Sequence, residues 1–307
     1  MSTHAVSVIL NPVAGRGHAA RIRPQLEQAL SEACARASHD TRRLEWHLAE
    51  THAAGAATVL AREAAARGAD IVVAAGGDGT FGEVASGIVG SRSRLAILAL
   101  GTGNDFARAI GLDGSLEQAI ATIISGRPRR IDLGTANGRP FLNVAGCGFD
   151  AVVGERVNRG YRWLRGSAAY VAAVLESLRD FRAVPMRLEV DGRQFAVRAM
   201  LCAIANGPAF GGGMRVAPDA ELDDGLFDVC IVSELSRPAF LRAFPRVYRG
   251  THTTHPNVTM LRARRVRIES DRQAPLLVDG DLVGTTPAVF EVMPSAIEVL
   301  VPQGAQG

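Results

Sequence analysis

The chain contains no lysine, so each of its 34 basic residues is an arginine. A P-loop, a protein kinase active site and a pyridoxal-phosphate enzyme each depend on a lysine, so the sequence excludes these three classes. Arginine can hold a phosphate in place of lysine, but its guanidinium stays charged and cannot serve as a base. Any acid–base chemistry must therefore come from other side chains.

Cysteine is also scarce, and no two cysteines are spaced as a C-x-x-C pair. This scatter favours buried thiols in a reducing compartment over disulfides or zinc ligands. The four residues are Cys34, Cys147, Cys202 and Cys230.

No apolar run reaches the roughly eighteen residues of a membrane-spanning helix, and the first residues do not read as a signal peptide. The formal net charge is only +3, and the scattered arginines give no pattern of nucleic-acid binding. We expect a cytoplasmic protein that binds no nucleic acid, with any membrane contact peripheral and on the inner face.

One stretch combines a buried strand with a glycine-rich turn. Residues 71–75 are five small or β-branched apolar residues, typical of a strand buried on both faces. The turn that follows lets backbone amides point at an anion, and its aspartate could hold a magnesium ion on a nucleotide. The turn consists of Gly76, Gly77, Asp78, Gly79 and Thr80.

A second stretch of the same kind follows the next strand, residues 95–100. Its turn runs from Gly101 to Asp105 and leads into a predicted helix. An earlier predicted strand, residues 5–10, ends at Asn11 in a loop that carries Arg16. Because the carboxyl ends of parallel strands share one edge of a sheet, these three loops should lie together, where α/β proteins bind ligands.

Strands alternate with helices up to about residue 128, which predicts a parallel sheet with right-handed crossovers. Residues 129–307 read mainly as strands joined by turns, with Asp191-Gly192 as a strong hairpin signal. We therefore predict an α/β domain over residues 1–128 and a mainly antiparallel β-sandwich over residues 129–307. An alternative for the last strand is that it returns to the sheet of the first domain.

Residues 76–80 and residues 101–108 resemble the nucleotide motifs of the diacylglycerol kinase catalytic superfamily, in particular its bacterial lipid-kinase branch. Several segments of the second half also resemble this family, among them Asn143 to Asp150 and Val278-Asp279-Gly280-Asp281. The resemblance implies an NAD kinase-like first domain and an ATP- and Mg²⁺-dependent lipid kinase that acts on diacylglycerol or a related glycerolipid at a membrane surface.

The resemblance also implies roles for particular residues. The nucleotide is expected to contact Asn11, Arg16, Gly76, Gly77, Asp78, Gly79, Thr80, Glu83, Gly101, Thr102, Asn104 and Arg108. Metal ligands are expected at Asp78, Asp105, Asp223 and Asp224. The catalytic set is expected to be Asp78, Asp105 and Asp279, with Asp279 as general base.

The sequence departs from the family pattern at three positions, since Gly82 replaces an asparagine, Ala99 a proline and Asp281 a glutamate. Simpler explanations also exist for the second-half motifs. Asp223-Asp224-Gly225 reads equally well as an ordinary turn, and Asp279-Gly280 as a hairpin tip.

Other functions also fit parts of the pattern. NAD kinase shares the first motif, the acceptor could be a sphingoid base or phosphatidylglycerol, and a non-catalytic nucleotide- or lipid-binding regulator is a third option. An exposed edge strand would allow a homodimer. Two arginine groups could meet anionic lipid headgroups or simply face solvent. They are Arg156, Arg159, Arg162 and Arg165, and Arg262, Arg264, Arg265 and Arg267.

Overall fold

Residues 3–38, 43–112, 114–159 and 167–304 are described by the computed structural model of the chain. The chain divides into two units. Unit 1 comprises Met1–Leu133 and Pro294–Gly307, and unit 2 comprises Gly134–Met293. The sequence placed this division after residue 128. None of the described helices is both long and apolar enough to cross a membrane.

Unit 1 is built on a parallel sheet in the strand order β2-β1-β3-β4-β15. The strands are β1 (Thr3–Leu10), β2 (Arg43–Glu50), β3 (Ile71–Gly76), β4 (Arg94–Ala99) and the end of β15 (Ala288–Val301). The predicted parallel α/β architecture is confirmed. Every residue of β3 is buried, as expected for a central strand covered on both faces.

Five helices accompany this sheet, namely α1 (Ala14–Ser38), α2 (Ala56–Ala66), α3 (Asp78–Ile88), α4 (Asp105–Ala109) and α5 (Leu116–Ser125). Apolar side chains of α1 and α5, such as Leu30 and Ile123, join one core cluster with Val8, Val73 and Leu98 of the strands. This packing covers one face of the sheet and fixes the positions of the strand ends.

Unit 2 is antiparallel and β-rich, as predicted. Its strands are the end of β5 (Arg127–Ala136), β6 (Arg139–Phe141), β7 (Val144–Gly148), β8 (Val184–Val190), β9 (Arg193–Ala205), β10 (Phe227–Ser233), β11 (Val258–Ala263), β12 (Arg265–Ser270), β13 (Pro275–Val278), β14 (Asp281–Thr285) and the first part of β15. The long strand β9 pairs with β8 through its first half and with β7 and β10 through its second half. It therefore connects most of the unit's core.

Two-residue turns set the register of two hairpins in unit 2. Asp191 and Gly192 connect β8 to β9 with φ angles of 46° and 82°, the left-handed conformation of a type I′ turn. Asp279 and Gly280 connect β13 to β14 in the same way, with φ angles of 47° and 92°. The first hairpin was predicted, and the second agrees with the simpler interpretation of the Asp279 motif.

The helices of unit 2 are α6 (Phe149–Arg159), α7 (Ser167–Asp180) and α8 (Arg237–Ala243), followed by the 3₁₀ helices η1 (Phe244–Arg249) and η2 (Thr251–Thr254). Helix α6 was not predicted, because its first residues belong to a segment that the sequence analysis interpreted as a motif. Phe149 packs edge-on against Phe181 and Phe240 in a core of its own.

Candidate active site

Three loops meet at the carboxyl edge of the unit 1 sheet. The backbone N–H of Asn11 donates to the carbonyl of Ala75 over 2.9 Å, and that of Leu100 donates to Gly76 over 2.7 Å. The side-chain amide of Asn11 also donates to Thr80 Oγ1 over 3.0 Å. The loops after β1, β3 and β4 are thus bonded to one another, as the sequence predicts.

Two glycines allow the loops after β3 and β4 to touch. A Cβ placed on Gly101 would lie only 2.5 Å from Gly77 Cα and 2.7 Å from Asn104 Oδ1, so no side chain fits there. Gly79, in the first turn of α3, faces open space instead. Because α3 begins at Asp78, its first amides and the positive end of its dipole are available to an anion.

Asp78 joins α3 to α4 at this edge. Its Oδ1 accepts a hydrogen bond from the backbone N–H of Phe106 over 3.0 Å. Burial raises the pKa of the Asp78 carboxyl, and the nearby charge of Asp105 raises it further, while backbone hydrogen bonds act in the opposite direction. A carboxylate in this position is costly without a cation, which makes it a plausible partner for a metal-bound nucleotide.

Asp105 is buried, with 3% of its surface exposed, and is paired with Arg108. The Arg108 guanidinium lies 2.5 Å from Asp105 Oδ1 and 2.5 Å from the carbonyl oxygen of Gly103. These two contacts hold one side of the guanidinium, while about half of the side chain stays exposed. Arg108 is therefore positioned beside the carboxylate of Asp105 with donors left for an anion.

Asn104 shapes the second loop. Its backbone is left-handed, with φ of 56°, and its side chain both donates to and accepts from the backbone of Gly101. This pair of hydrogen bonds explains why asparagine occupies the position, since asparagine also tolerates the left-handed conformation. Thr102 in the same loop is exposed, so its hydroxyl is accessible to a ligand.

Arg16 lies in a left-handed run at the start of α1. Gly15, Arg16 and Gly17 have φ angles of 56°, 60° and 79°, and the Arg16 side chain is exposed. A left-handed arginine is uncommon, and such outliers concentrate at functional sites. Its backbone conformation supports a binding role for Arg16.

Glu83 has a structural role that the sequence analysis did not foresee. Its carboxylate accepts hydrogen bonds from the backbone N–H groups of Gly55 and Ala57, over 2.8 and 3.0 Å, at the N-terminus of α2. These bonds give both carboxylate oxygens a role in capping a helix, and the predicted nucleotide contact of Glu83 stays a prediction.

Asp279 uses its carboxylate to organise unit 2. Oδ2 accepts from the backbone N–H of Leu142 over 2.6 Å, and Oδ1 accepts from those of Asn143 and Val144 over 2.9 and 3.1 Å. A carboxylate has about four acceptor sites, so these bonds occupy most of them. Asp281, two residues later, is largely exposed and pairs with Arg139 over 2.9 Å.

Asn143 is a candidate that the sequence analysis did not single out. Its side-chain oxygen is buried and accepts no hydrogen bond within the described ranges. A Cβ built on Gly207 would lie 3.1 Å from this oxygen. An unpaired buried acceptor costs about 1–3 kcal/mol and calls for an explanation. In the sequence, the signal that could have identified Asn143 was its place as the first residue of the segment that resembles the lipid kinases.

The aspartates 223 and 224, predicted as metal ligands, lie shortly before β10. Asp224 accepts from the backbone N–H of Leu226 over 2.9 Å and forms an ion pair with Arg262. Arg262 also lies 4.0 Å from Asp228, whose buried Oδ2 accepts no hydrogen bond from any described residue. An arginine of the chain thus supplies positive charge to Asp224, and the metal role of Asp223 and Asp224 stays a prediction.

Across the described ranges, no group of three or more His, Cys, Asp or Glu side chains is arranged to hold a metal ion. Asp78 and Asp105 supply two carboxylates at the unit 1 edge. Two are sufficient for Mg²⁺ that arrives with a nucleotide, since phosphate oxygens and water complete its shell. The donor chemistry of Asp78 and Asp105 therefore fits magnesium that arrives with a nucleotide.

The two units together define a class of protein, in which a nucleotide-type α/β unit is joined to an antiparallel β unit. Residues 5–136 match the family model of the diacylglycerol kinase catalytic domain. Residues 143–301 match that of the YegS C-terminal NAD kinase beta sandwich-like domain.

Individual relatives agree with these models. A protein from Bacillus subtilis (strain 168) named diacylglycerol kinase is 33% identical over 303 residues, which cover 96% of both chains. A protein of the same name from Mycobacterium tuberculosis (strain CDC 1551 / Oshkosh) is 35% identical over 161 residues, and this chain spans about half, 52%, of its length. The chain therefore belongs to the diacylglycerol kinase family of lipid kinases.

A solved structure shows the same fold. The crystal structure of a diacylglycerol kinase from Bacillus anthracis str. Sterne superposes with a TM-score of 0.73 at 22% identity, covering 99% of this chain and 98% of the other. At this identity the similarity concerns the fold alone.

We expect Asp78→Asn to raise the melting temperature by a few degrees at pH 7. The folded-state pKa of Asp78 lies above its ordinary value of 3.8, so charging the carboxylate costs folding free energy. The gain should be complete above the raised pKa and vanish as pH falls below 3.8. Thermal melts across this range measure it.

The matched control is Asp271→Asn, which makes the same change at an exposed position. It should alter the melting temperature little at any pH. Equal melting of the Asp78→Asn variant and the wild type at pH 7 would show that Asp78 carries no burial cost.

We expect Arg262→Met to lower the free energy of unfolding by about 1–3 kcal/mol, because Asp224 and the buried Asp228 lose their neighbouring positive charge. Arg264→Met is the control, since Arg264 is exposed and has no ion pair among the described residues.

Melting of the wild type should not change with a chelator or with added Mg²⁺. A fall in melting temperature on chelation would instead reveal a resident cation at this loop.

Proposed function

We propose that this protein transfers the γ-phosphoryl group of ATP to the hydroxyl of a lipid, most plausibly diacylglycerol or a related glycerolipid. The observation that carries the proposal is the arrangement at the unit 1 edge. There the partly buried carboxylate of Asp78 and the buried carboxylate of Asp105 lie at the N-terminus of α3 and of α4, with the half-exposed Arg108 paired to Asp105. Phosphoryl transfer depends mainly on positioning and charge neutralisation, which these groups can provide.

The phosphates of ATP would bind along the three loops of this edge. Amides from Gly77 to Thr80 donate at the start of α3, and Arg16 and Arg108 contribute positive charge. Asn11 holds Thr80 in place through its side-chain amide. Magnesium, when bound with the nucleotide between Asp78 and Asp105, would offset the charge of the phosphate oxygens.

The lipid acceptor is inferred from the family. The relatives from Bacillus subtilis and Mycobacterium tuberculosis are named diacylglycerol kinases, and we extend that substrate to this chain. A protein of this kind would act peripherally, at the cytoplasmic face of the inner membrane.

A carboxylate of the β13–β14 turn is the proposed base. Asp279 belongs to the segment that resembles the family's terminal motif, its carboxylate is held by three backbone N–H groups, and we assign to it the proton of the lipid hydroxyl. Asp281 is the alternative within the same turn, because it is exposed and only paired at the surface with Arg139. Asp279 remains our assignment, and the two aspartates can be separated experimentally.

The test is transfer of labelled γ-phosphate from ATP with Mg²⁺ to dispersed diacylglycerol, a sphingoid base, phosphatidylglycerol and NAD, with a sample lacking any acceptor. We expect label on diacylglycerol. Asp279→Asn should reduce turnover by about 10²- to 10⁴-fold while ATP still binds, whereas Asp281→Asn should stay within about tenfold of the wild type. Melting curves of both variants show whether the backbone bonds of Asp279 survive the change.

Label on NAD alone would place the protein among NAD kinases. ATP binding without label on any acceptor would favour a non-catalytic regulator. If Asp279→Asn turns over normally and Asp281→Asn does not, the base is Asp281.

A further inference from the structure

Helix α8 and the adjoining η1 form a continuous helical segment with one exposed face. Six of its exposed positions, 238, 241, 242, 245, 248 and 249, follow the i, i+3, i+4, i+7 spacing of a single face. We call this the α8–η1 face. The residues on it are Pro238, Leu241, Arg242, Pro245, Tyr248 and Arg249.

The composition of this face is unusual for a surface in contact with water alone. Leu241 and Tyr248 are each 43% exposed, and they are among the few large apolar side chains with such exposure in the described chain. An exposed helix face ordinarily carries polar residues and charges of both signs. This one carries apolar residues and arginine only.

The charge around the face is strictly positive in sequence. No aspartate or glutamate occurs from residue 235 to residue 268, and four arginines lie on α8 and η1, namely Arg237, Arg242, Arg246 and Arg249. Arg242 and Arg249 form no ion pair or hydrogen bond with any described residue, so their charges are available to a partner. The face therefore combines apolar side chains with uncompensated cations.

The opposite side of the segment fixes the face in position. Phe240 is buried against Phe149 and Phe244 stacks on Phe240. Arg246 donates to the carbonyl of Thr251 and to the hydroxyl of Thr254, each over 2.7 Å, which holds η1 against η2. The exposed side chains thus project from a well-packed support.

The two arginine groups expected from sequence to meet lipid are less suited to this role. Arg156 pairs with Glu176 and Asp180. Arg162 and Arg165 lie outside the described residues, as does the side chain of Arg159. In the second group, ion pairs join Arg262 to Asp224, Arg265 to Glu291 and Arg267 to Glu269.

We propose that the α8–η1 face docks the protein onto a bilayer that contains anionic phospholipid. The inference rests on the proposed function, because a lipid kinase must reach an acceptor held in a membrane. Arg242 and Arg249 would meet phosphate headgroups, while Leu241 and Tyr248 enter the interfacial region, where a tyrosine keeps its hydroxyl in water. A peripheral protein needs both kinds of contact to bind firmly.

The experiment is sedimentation of the full chain with vesicles of phosphatidylcholine alone or with about one third phosphatidylglycerol. The wild type should bind the anionic vesicles, and high salt should weaken that binding. The double variant Leu241→Ser/Arg242→Ser should bind on the order of tenfold to a hundredfold more weakly.

The matched control is Val59→Ser/Arg62→Ser, which removes one exposed apolar side chain and one exposed arginine from α2 in unit 1. It should bind vesicles as the wild type does. Equal binding by the two double variants, or no binding by the wild type, would overturn the proposal, as would self-association through this face without vesicle binding.

Phosphorylation of a short-chain, water-soluble diacylglycerol keeps this test separate from that of the proposed function. The Leu241→Ser/Arg242→Ser variant should turn over this substrate as the wild type does, because no membrane is involved. Loss of turnover on it would mean that the face serves the reaction directly, which contradicts a docking role. Vesicle binding by a protein that phosphorylates no lipid would refute the kinase and leave the docking surface supported.

Discussion

The contact between Gly77 and Gly101 is the constraint on which the candidate site depends. With no side chain at either position, the loops after β3 and β4 approach closely enough for Asp78 to bond the backbone of Phe106. That contact brings the carboxylates of Asp78 and Asp105, the start of α3 and Arg108 to one edge of the sheet. A methyl group at Gly101 would force these loops apart.

The two units differ in how the negative charge of their carboxylates is balanced. At the edge of unit 1, burial raises the pKa of Asp78, and the nearby charge of Asp105 raises it further. In unit 2 the chain supplies its own partners, since Arg262 faces Asp224 and backbone amides surround the carboxylate of Asp279. A site held in an unfavourable charge state lowers stability and is prepared to bind, which is the usual compromise of active sites.

Local patterns in the sequence predicted most of the fold. Buried apolar runs located β3 and β4, and Asp191-Gly192 located a hairpin. The meeting of the three loops at the carboxyl edge could be predicted because each of them follows a strand of the parallel sheet. These signals are reliable because they depend on neighbours in sequence and on the parallel arrangement of strands.

The roles of individual carboxylates could not be predicted, because their partners lie far away in sequence. Glu83 caps a helix that begins about thirty residues earlier, and Asp279 binds amides of residues 142–144. A motif tells which residue types occur and in what order. It does not tell whether a carboxylate faces a ligand or the backbone.

Calorimetric titration of ATP with Mg²⁺ into the wild type and the Gly101→Ala variant tests the central claim most directly. A Cβ at residue 101 would lie 2.5 Å from Gly77 Cα, so the account predicts at least about a tenfold loss of ATP affinity in a chain that still folds. Unchanged affinity in the folded variant would mean that ATP does not bind at this edge.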